Sequence, residues 1–199
     1  MKKKLGVAEG YQPPGTGYTD MPLVTTRGGN TYDRTFLETF IPPGIGFKNW
    51  TSRANYPVFG IVPTPDSDTH LSIYVNRHTG YKSAHLARYT LRYDGFASVN
   101  APYAGGEMTT SPLTFDGNRL SINYATSAPG FVKVEIQDAA GTPIPGYTLA
   151  ESTEIIGDEL DRTVSWANGS DVSRLSGQPI RLRFVMKAAD LYALQFAKT

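Results

Sequence analysis

The chain has 199 residues, 40% hydrophobic and 19% charged, so it can bury a core and is not globally disordered. Its formal net charge of +1 gives no sign of a nucleic-acid or membrane-surface partner, and the absence of cysteine excludes disulfides, thiolate catalysis and Cys-type zinc sites. Its 12 Tyr, nine Phe, 20 Gly and 14 Pro are typical of short strands joined by tight turns.

Residues 1–20 are expected to form an extended leader. The basic start, Met1 to Lys4, resembles that of a signal peptide, but Glu, Gly and Pro interrupt the next residues and no apolar segment develops. No apolar run in the sequence reaches the roughly 18 residues that a membrane span needs, so no membrane partner is expected. The localisation stays open between the cytoplasm and secretion without a recognisable signal peptide.

Residues 21–94 predict a β-meander, in which consecutive antiparallel strands are joined by short turns. A strand candidate at 21–27 precedes a Gly-Gly-Asn turn. The next segment, 31–41, fits a strand or a short helix, because aromatic residues recur in it every four positions. Apolar or alternating runs predict three more strands, at 55–64, 68–78 and 83–96.

Residues 95–199 predict a β-sandwich, because turn signals recur at roughly 8–12 residue spacing. Ala-Pro-Gly at 128–130 is expected to turn the chain between two alternating strands, and the acidic stretch 157–162 is expected to be a solvated loop. The predicted strands lie at 105–115, 119–126, 131–138, 162–168 and 179–197, the last range closing with a separate final strand.

Two stretches of the second half carry a family resemblance: LRYDGFASVNAPYAGGEMTTSPLTFDGNRLSINYATSAPGFVKVEIQDAAGTPIPGY and RLRFVMKAADLYALQF. They resemble the C-terminal β-sandwich of bacterial proteins of the five-bladed β-propeller glycoside hydrolase type, which are related by fold to fructosidases and arabinanases. RGGNTYDRTFLETFIPPG, NWTSRANYPVFGIVPT and IYVNRHTGYKSAHLARYTLRYDGF resemble the last blades of such a propeller. The resemblance implies an all-β chain, with a propeller-blade-like β-meander followed by a jelly-roll-like β-sandwich.

The hairpin TTRGGNTYDR resembles the Asp-box turn of sialidase-like propellers, with Gly28 in place of its Asp and Tyr32 in place of its Trp. Tyr32 is then expected to pack between strands. Five blades need about 20 strands, whereas residues 21–94 supply one or two blades. Unpaired sheet edges would favour a homo-oligomer.

The resemblance implies hydrolysis of glycosidic bonds by carboxylate acid/base chemistry, with a carbohydrate as substrate or ligand. Glu38 is the first catalytic candidate, because Phe36 and Phe40 could desolvate it and raise its pKa. His78 at a predicted strand end is the second, beside Arg77 as a polar binding residue. The alternatives are a non-catalytic carbohydrate-binding or accessory module and an oligomerising structural fragment of a propeller enzyme.

Residues 49–56 form the best sugar-binding cluster, because aromatic rings stack on sugars while Arg and Asn side chains bond hydroxyl groups. Its members are Trp50, Arg53, Asn55 and Tyr56. A Trp that fills the space between sheets is an equal alternative. Three His residues could ligate a metal, but no acidic partner lies at a diagnostic spacing, so neither a metal nor a cofactor is expected. A serine hydrolase is disfavoured, because Gly-x-Ser-x-Gly is absent.

Overall fold

The computed structural model describes residues 21–50 and 55–198; the leader predicted at 1–20 lies outside this range. The described residues form antiparallel β-sheets, and their helix is limited to two single 3-10 turns, Phe47–Asn49 and Ser173–Leu175. The all-β fold class is therefore confirmed. Contacts divide the chain into two compact units between Tyr93 and Asp94. No helix in the described part of the chain has the length and apolar character to cross a membrane.

The first unit contains three antiparallel strands, β1 (Tyr56–Pro63), β2 (His70–Arg77) and β3 (His85–Arg92), in that order across the sheet. In β2 the alternation Leu71, Ile73, Val75 turns apolar side chains toward one face. The small core of the unit lies on that face, because Ile73 and Val75 are buried there together with Ile41.

The segment before the sheet supplies part of this core through Met21, Phe40 and Ile41. The strands predicted at 21–27 and 31–41 are reduced to isolated bridges, Pro22 to Thr39 and Thr25 to Asp33, and the helical alternative for 31–41 is wrong. The four-residue aromatic spacing does not produce a helix, because Phe36 stays exposed while Phe40 packs on the sheet.

The second unit is one five-stranded antiparallel sheet in the order β4–β8–β6–β7, with β5 paired to β8. Its strands are β4 (Val99–Ala101), β5 (Gly106–Thr109), β6 (Arg119–Asp138), β7 (Asp158–Thr163) and β8 (Ile180–Ala197). The 20-residue β6 pairs with the 18-residue β8 along most of its length. A separate final strand was predicted within 179–197, but β8 is continuous.

The turn predicted at 128–130 is wrong, because β6 bends there without reversing. The pairing register shifts between Thr126 and Phe131, opposite Ala188, whose φ of 42° marks the matching bend in β8. Gly130 permits the close approach: a Cβ there would lie 2.4 Å from the Ala188 carbonyl oxygen and 2.7 Å from that of Lys187. Glycine thus serves contact between the two strands rather than a turn.

The core of the second unit lies against one face of this sheet and is covered by the segment between β6 and β8. Trp166 is buried, donates its Nε1–H to the Val134 carbonyl at 2.8 Å, and meets the Tyr147 ring edge-on at 5.1 Å. The acidic loop predicted at 157–162 is wrong: most of this range forms β7, and Asp161 pairs with Arg119 of β6 at 3.2 Å.

Candidate functional site

Arg77, the last residue of β2, is only 9% exposed, and its guanidinium donates hydrogen bonds to acceptors within the protein. It donates to Asn55 Oδ1 at 2.9 Å, to the Tyr89 hydroxyl, and to the Pro43 carbonyl at 2.5 Å. The fork of donors on a guanidinium can serve three acceptors at once. Arg77 therefore fastens segment 42–50 to the end of the sheet, and its predicted contact with a substrate stays a prediction.

Asn55 is the second residue of this hydrogen-bonded group. We call Arg77, Asn55 and the acceptors that they bond the bracket. It is 1% exposed, adopts a positive φ of 54°, and donates its Nδ2–H to the Ile41 carbonyl at 2.9 Å. Its side chain thus links Arg77 to the segment before β1, and both amide atoms are used inside the protein. Tyr56 follows as an exposed residue at the start of β1. Arg53, the fourth member of the predicted sugar cluster, lies outside the described residues.

Trp50 stands at the end of the fastened segment, directly after the 3-10 turn Phe47–Asn49. Its Nε1–H donates to the Gly44 carbonyl at 3.0 Å, and 45% of the residue remains exposed. One edge of the indole is therefore anchored while part of the ring system is open to solvent. That combination suits a stacking platform better than the alternative of a Trp filling the space between sheets.

His78 follows Arg77 with a positive φ of 54°, and its ring lies edge-on to the His85 ring at 4.9 Å. Its Nδ1 is 3.1 Å from Ser83 Oγ, while His85 donates Nδ1–H to the Ser83 carbonyl at 2.9 Å. Burial and the neighbouring charges of His85, Arg77 and Lys48 lower the pKa of His78. The imidazole therefore stays neutral to lower pH than an ordinary His.

Glu38, the first catalytic candidate, lies in the segment before the sheet and is exposed. The expected desolvation by its aromatic neighbours is wrong, because Phe36 is itself exposed and Phe40 packs into the core. The nearby Asp33 carboxylate accepts hydrogen bonds from Thr35 N and Oγ, which lower its pKa. A catalytic role of Glu38 stays a prediction, without the buried setting that suggested it.

The three histidines do not meet at one point, because His70 lies apart from the contacting rings of His78 and His85. His70 begins β2 and His78 follows its end, so about 25 Å of extended strand separates them. Among residues 21–50 and 55–198, no three His, Cys, Asp or Glu side chains form a group that could hold a metal ion. His70 instead bonds through Nδ1 to Thr69 Oγ1 at 2.8 Å.

The hairpin resembling an Asp-box closes through paired backbone bonds between Thr25 and Asp33, with positive φ at Gly28 and Gly29. An open cavity of about 640 Å³ is lined by its two arms. Tyr32 is 64% exposed, so the prediction that it packs between strands is wrong. The hairpin has no aromatic anchor of the kind that the resemblance implied.

We use the term strand-end surface for a group of five residues: Trp50, Lys48, Arg77, His78 and His85. Trp50, Arg77 and His78 are predicted from the sequence as binding or catalytic residues, whereas Lys48, His85 and the orienting Ser83 are not. The sequence does carry a signal for Lys48, namely that residues 39–65 and 69–93 contain no Asp or Glu that could pair with it.

Searches against protein-family models, curated proteins and solved structures found no match for the chain.

Proposed function

We propose that the chain is a carbohydrate-binding protein and that the strand-end surface is its ligand site. The observation that carries the proposal is Trp50, anchored through Nε1 and partly exposed beside polar side chains. An aromatic face held by the scaffold stacks on the apolar face of a sugar ring at low entropic cost. The resemblance to propeller glycoside hydrolases supports the same ligand class.

Retention on insoluble polysaccharides tests this function. Trp50→Ala should abolish retention, whereas the matched control Tyr103→Ala removes an exposed aromatic of the second unit and should leave it unchanged. Equal retention of both variants and the parent would contradict the assignment of Trp50. No retention on any polysaccharide would remove the proposed function.

Hydrolysis is the stronger form of the same proposal, and the resemblance is what supports it. Glu38 would act as the carboxylate, with His78 as a second proton-transfer group. Turnover of a glycoside that Glu38→Gln abolishes would support catalysis, while turnover that survives this substitution would remove Glu38 from the mechanism. Retention without turnover would leave the protein a binding module.

The finer architecture belongs to the same proposal. A three-stranded antiparallel meander with one covered face is consistent with a partial propeller blade, and the long bent strands β6 and β8 over a large core are consistent with a jelly-roll-like sandwich. Both assignments depend on the family resemblance, and an experimental structure of the intact protein would test them.

A second candidate function, self-assembly, is favoured by β1. This strand is at the edge of its sheet, and all eight of its residues are exposed, including Val58, Phe59, Ile61 and Val62. An antiparallel edge can pair with its own copy across a two-fold axis, and apolar edges invite such pairing. Light scattering should then detect a dimer that Phe59→Lys dissociates and Val99→Lys does not; a monomer at all concentrations would contradict it.

A further inference from the structure

The charged members of the strand-end surface, Lys48 and Arg77, are both basic, and His78 and His85 lie beside them. Residues 39–65 and 69–93 hold six Lys or Arg and all three His of the chain, and no Asp or Glu, although the whole chain has a net charge of only +1. The described members of this set around Trp50 are Lys48, Arg77, His78 and His85. Basic residues are therefore concentrated in two stretches of a nearly neutral chain.

Contacts place the aromatic platform and these charges together. The indole of Trp50 bonds the Gly44 carbonyl, and a Cβ on Gly44 would lie 3.4 Å from Arg77 Nη2. His78 follows Arg77 in the chain, packs against His85, and lies close enough to Lys48 for its charge to act on the imidazole. The charged side chains Arg77 and Lys48 and the imidazoles of His78 and His85 therefore belong to the same end of the sheet as the Trp50 indole.

Within the described residues no carboxylate neutralises this group. The ion pairs of the second unit, such as Arg183 with Glu107 at 2.6 Å, have no counterpart at Lys48, His78 or His85. His78 is acted on by positive neighbours without a negative one, which contributes to the lowering of its pKa. Unbalanced positive charge costs stability, and an anion would relieve that cost.

We propose that the carbohydrate bound at the strand-end surface is anionic, carrying a sulfate ester or a uronic-acid carboxylate. The sugar ring stacks on Trp50, and its negative group lies against Lys48, His78 and His85. Lys48 and His85 are exposed, so they can turn toward the ligand, while Arg77 adds its charge from inside the bracket. The inference rests on the proposed carbohydrate-binding function and names its ligand class.

Matched polysaccharides that differ only in charge test it, with the full chain as the binding protein. Polygalacturonate is compared with its methyl ester, and dextran sulfate with dextran, so that carboxylate and sulfate are tested separately. We expect at least one charged form to bind about tenfold tighter than its neutral partner, and the advantage to shrink as salt is raised. Lys48→Gln and His85→Gln should each remove part of that advantage.

Lys198→Gln is the control, because Lys198 is an exposed lysine of the second unit. An equal loss in this control would mean diffuse charge attraction and would overturn the site. Equal affinity for charged and neutral forms would overturn the inference while leaving carbohydrate binding intact, and no binding to either would remove the proposed function itself.

A second measurement follows His78 directly. Its ring-proton NMR signal is titrated with and without an oligogalacturonate, and with inorganic sulfate as the simplest probe. An anion at the strand-end surface should raise the pKa of His78, because it offsets the neighbouring positive charges. An unchanged titration in the presence of saturating anionic ligand would overturn the placement of the negative group.

Discussion

Removal of the Arg77 side chain tests whether one residue holds the candidate site together. Arg77→Leu keeps apolar bulk but deletes the donors to Asn55 Oδ1, the Pro43 carbonyl and the Tyr89 hydroxyl. The first two of these bonds are buried, and a buried acceptor left without a partner costs about 1–3 kcal/mol. The half-buried Tyr89 hydroxyl can turn to water, so the free energy of unfolding of the first unit should fall by about 2–6 kcal/mol.

A loss of that size approaches the whole stability of a small domain, which is about 5 kcal/mol at the lower end. Among the described residues of the first unit, the buried members of the core cluster are Ile41, Ile73 and Val75, so this core offers little compensation. The stability of Arg77→Lys should lie between those of the parent and Arg77→Leu, since one ammonium group cannot reproduce the planar fork of donors. In Arg77→Leu we therefore expect the first unit to unfold at clearly lower urea concentration than the second.

The chain contains two tryptophans, Trp50 in the first unit and Trp166 in the second. Labelling with 5-fluorotryptophan thus gives one fluorine NMR signal for each unit during urea unfolding. In Arg77→Leu the Trp50 transition should move and the Trp166 transition should not. Arg88→Leu, an exposed arginine of β3, is the matched control. A Trp50 transition that moves no further in Arg77→Leu than in this control would refute the bracket.

Three further outcomes are expected for the second unit. Gly130→Ala should destabilise it by about 2–4 kcal/mol by calorimetry, because the new Cβ would strike the Ala188 carbonyl and neither backbone can yield cheaply. Backbone N–H bonds from Thr142 and Ala140 lower the pKa of Asp138, so this carboxylate stabilises the fold above its unfolded pKa of 3.8 and loses that effect as pH falls further; Asp138→Asn should flatten the acid side of a plot of melting temperature against pH. Burial raises the pKa of Tyr124 to about 12, so its contribution is complete below pH 10 and should be lost between pH 10 and 12, a decline in the melting temperature that Tyr124→Phe removes.

Strand positions were predictable where one face of a strand is buried and the other is not. In β2 and β8 successive residues face opposite sides of the sheet, so apolar residues recur at every second position and the sequence alone located both strands. The bend at Gly130 was not predictable, because glycine after proline signals a turn locally while the contact that requires it comes from Ala188, 58 positions away in the chain. The acidic β7 was missed because charged residues on an exposed edge carry no apolar alternation.

Residue types located the candidate site, but not the role of each side chain. Trp50 and His78 were selected as an aromatic and a titratable group, and both lie at the strand-end surface. Arg77 and Asn55 were selected for the same polar character, yet their hydrogen bonds go to the protein, and the Pro43 carbonyl lies 34 residues before Arg77. Whether a polar group faces a ligand or the interior depends on such distant partners, which spacing along the chain does not reveal.

The two units differ in how much of their apolar surface is buried and how many of their charges are paired. Among the described residues, the core cluster of the second unit has many buried members and that unit has its own ion pairs. The core cluster of the first unit has three buried described members, and apolar side chains of β1 and the Lys48 side chain are exposed. A ligand or partner that binds the folded form adds stability in proportion to the logarithm of its concentration over its Kd. The marginal first unit therefore gains most from binding. A carbohydrate would stabilise the end of the sheet where Arg77 lies, whereas a second copy of the chain would stabilise β1. The residues that are protected against local unfolding therefore distinguish the two functions.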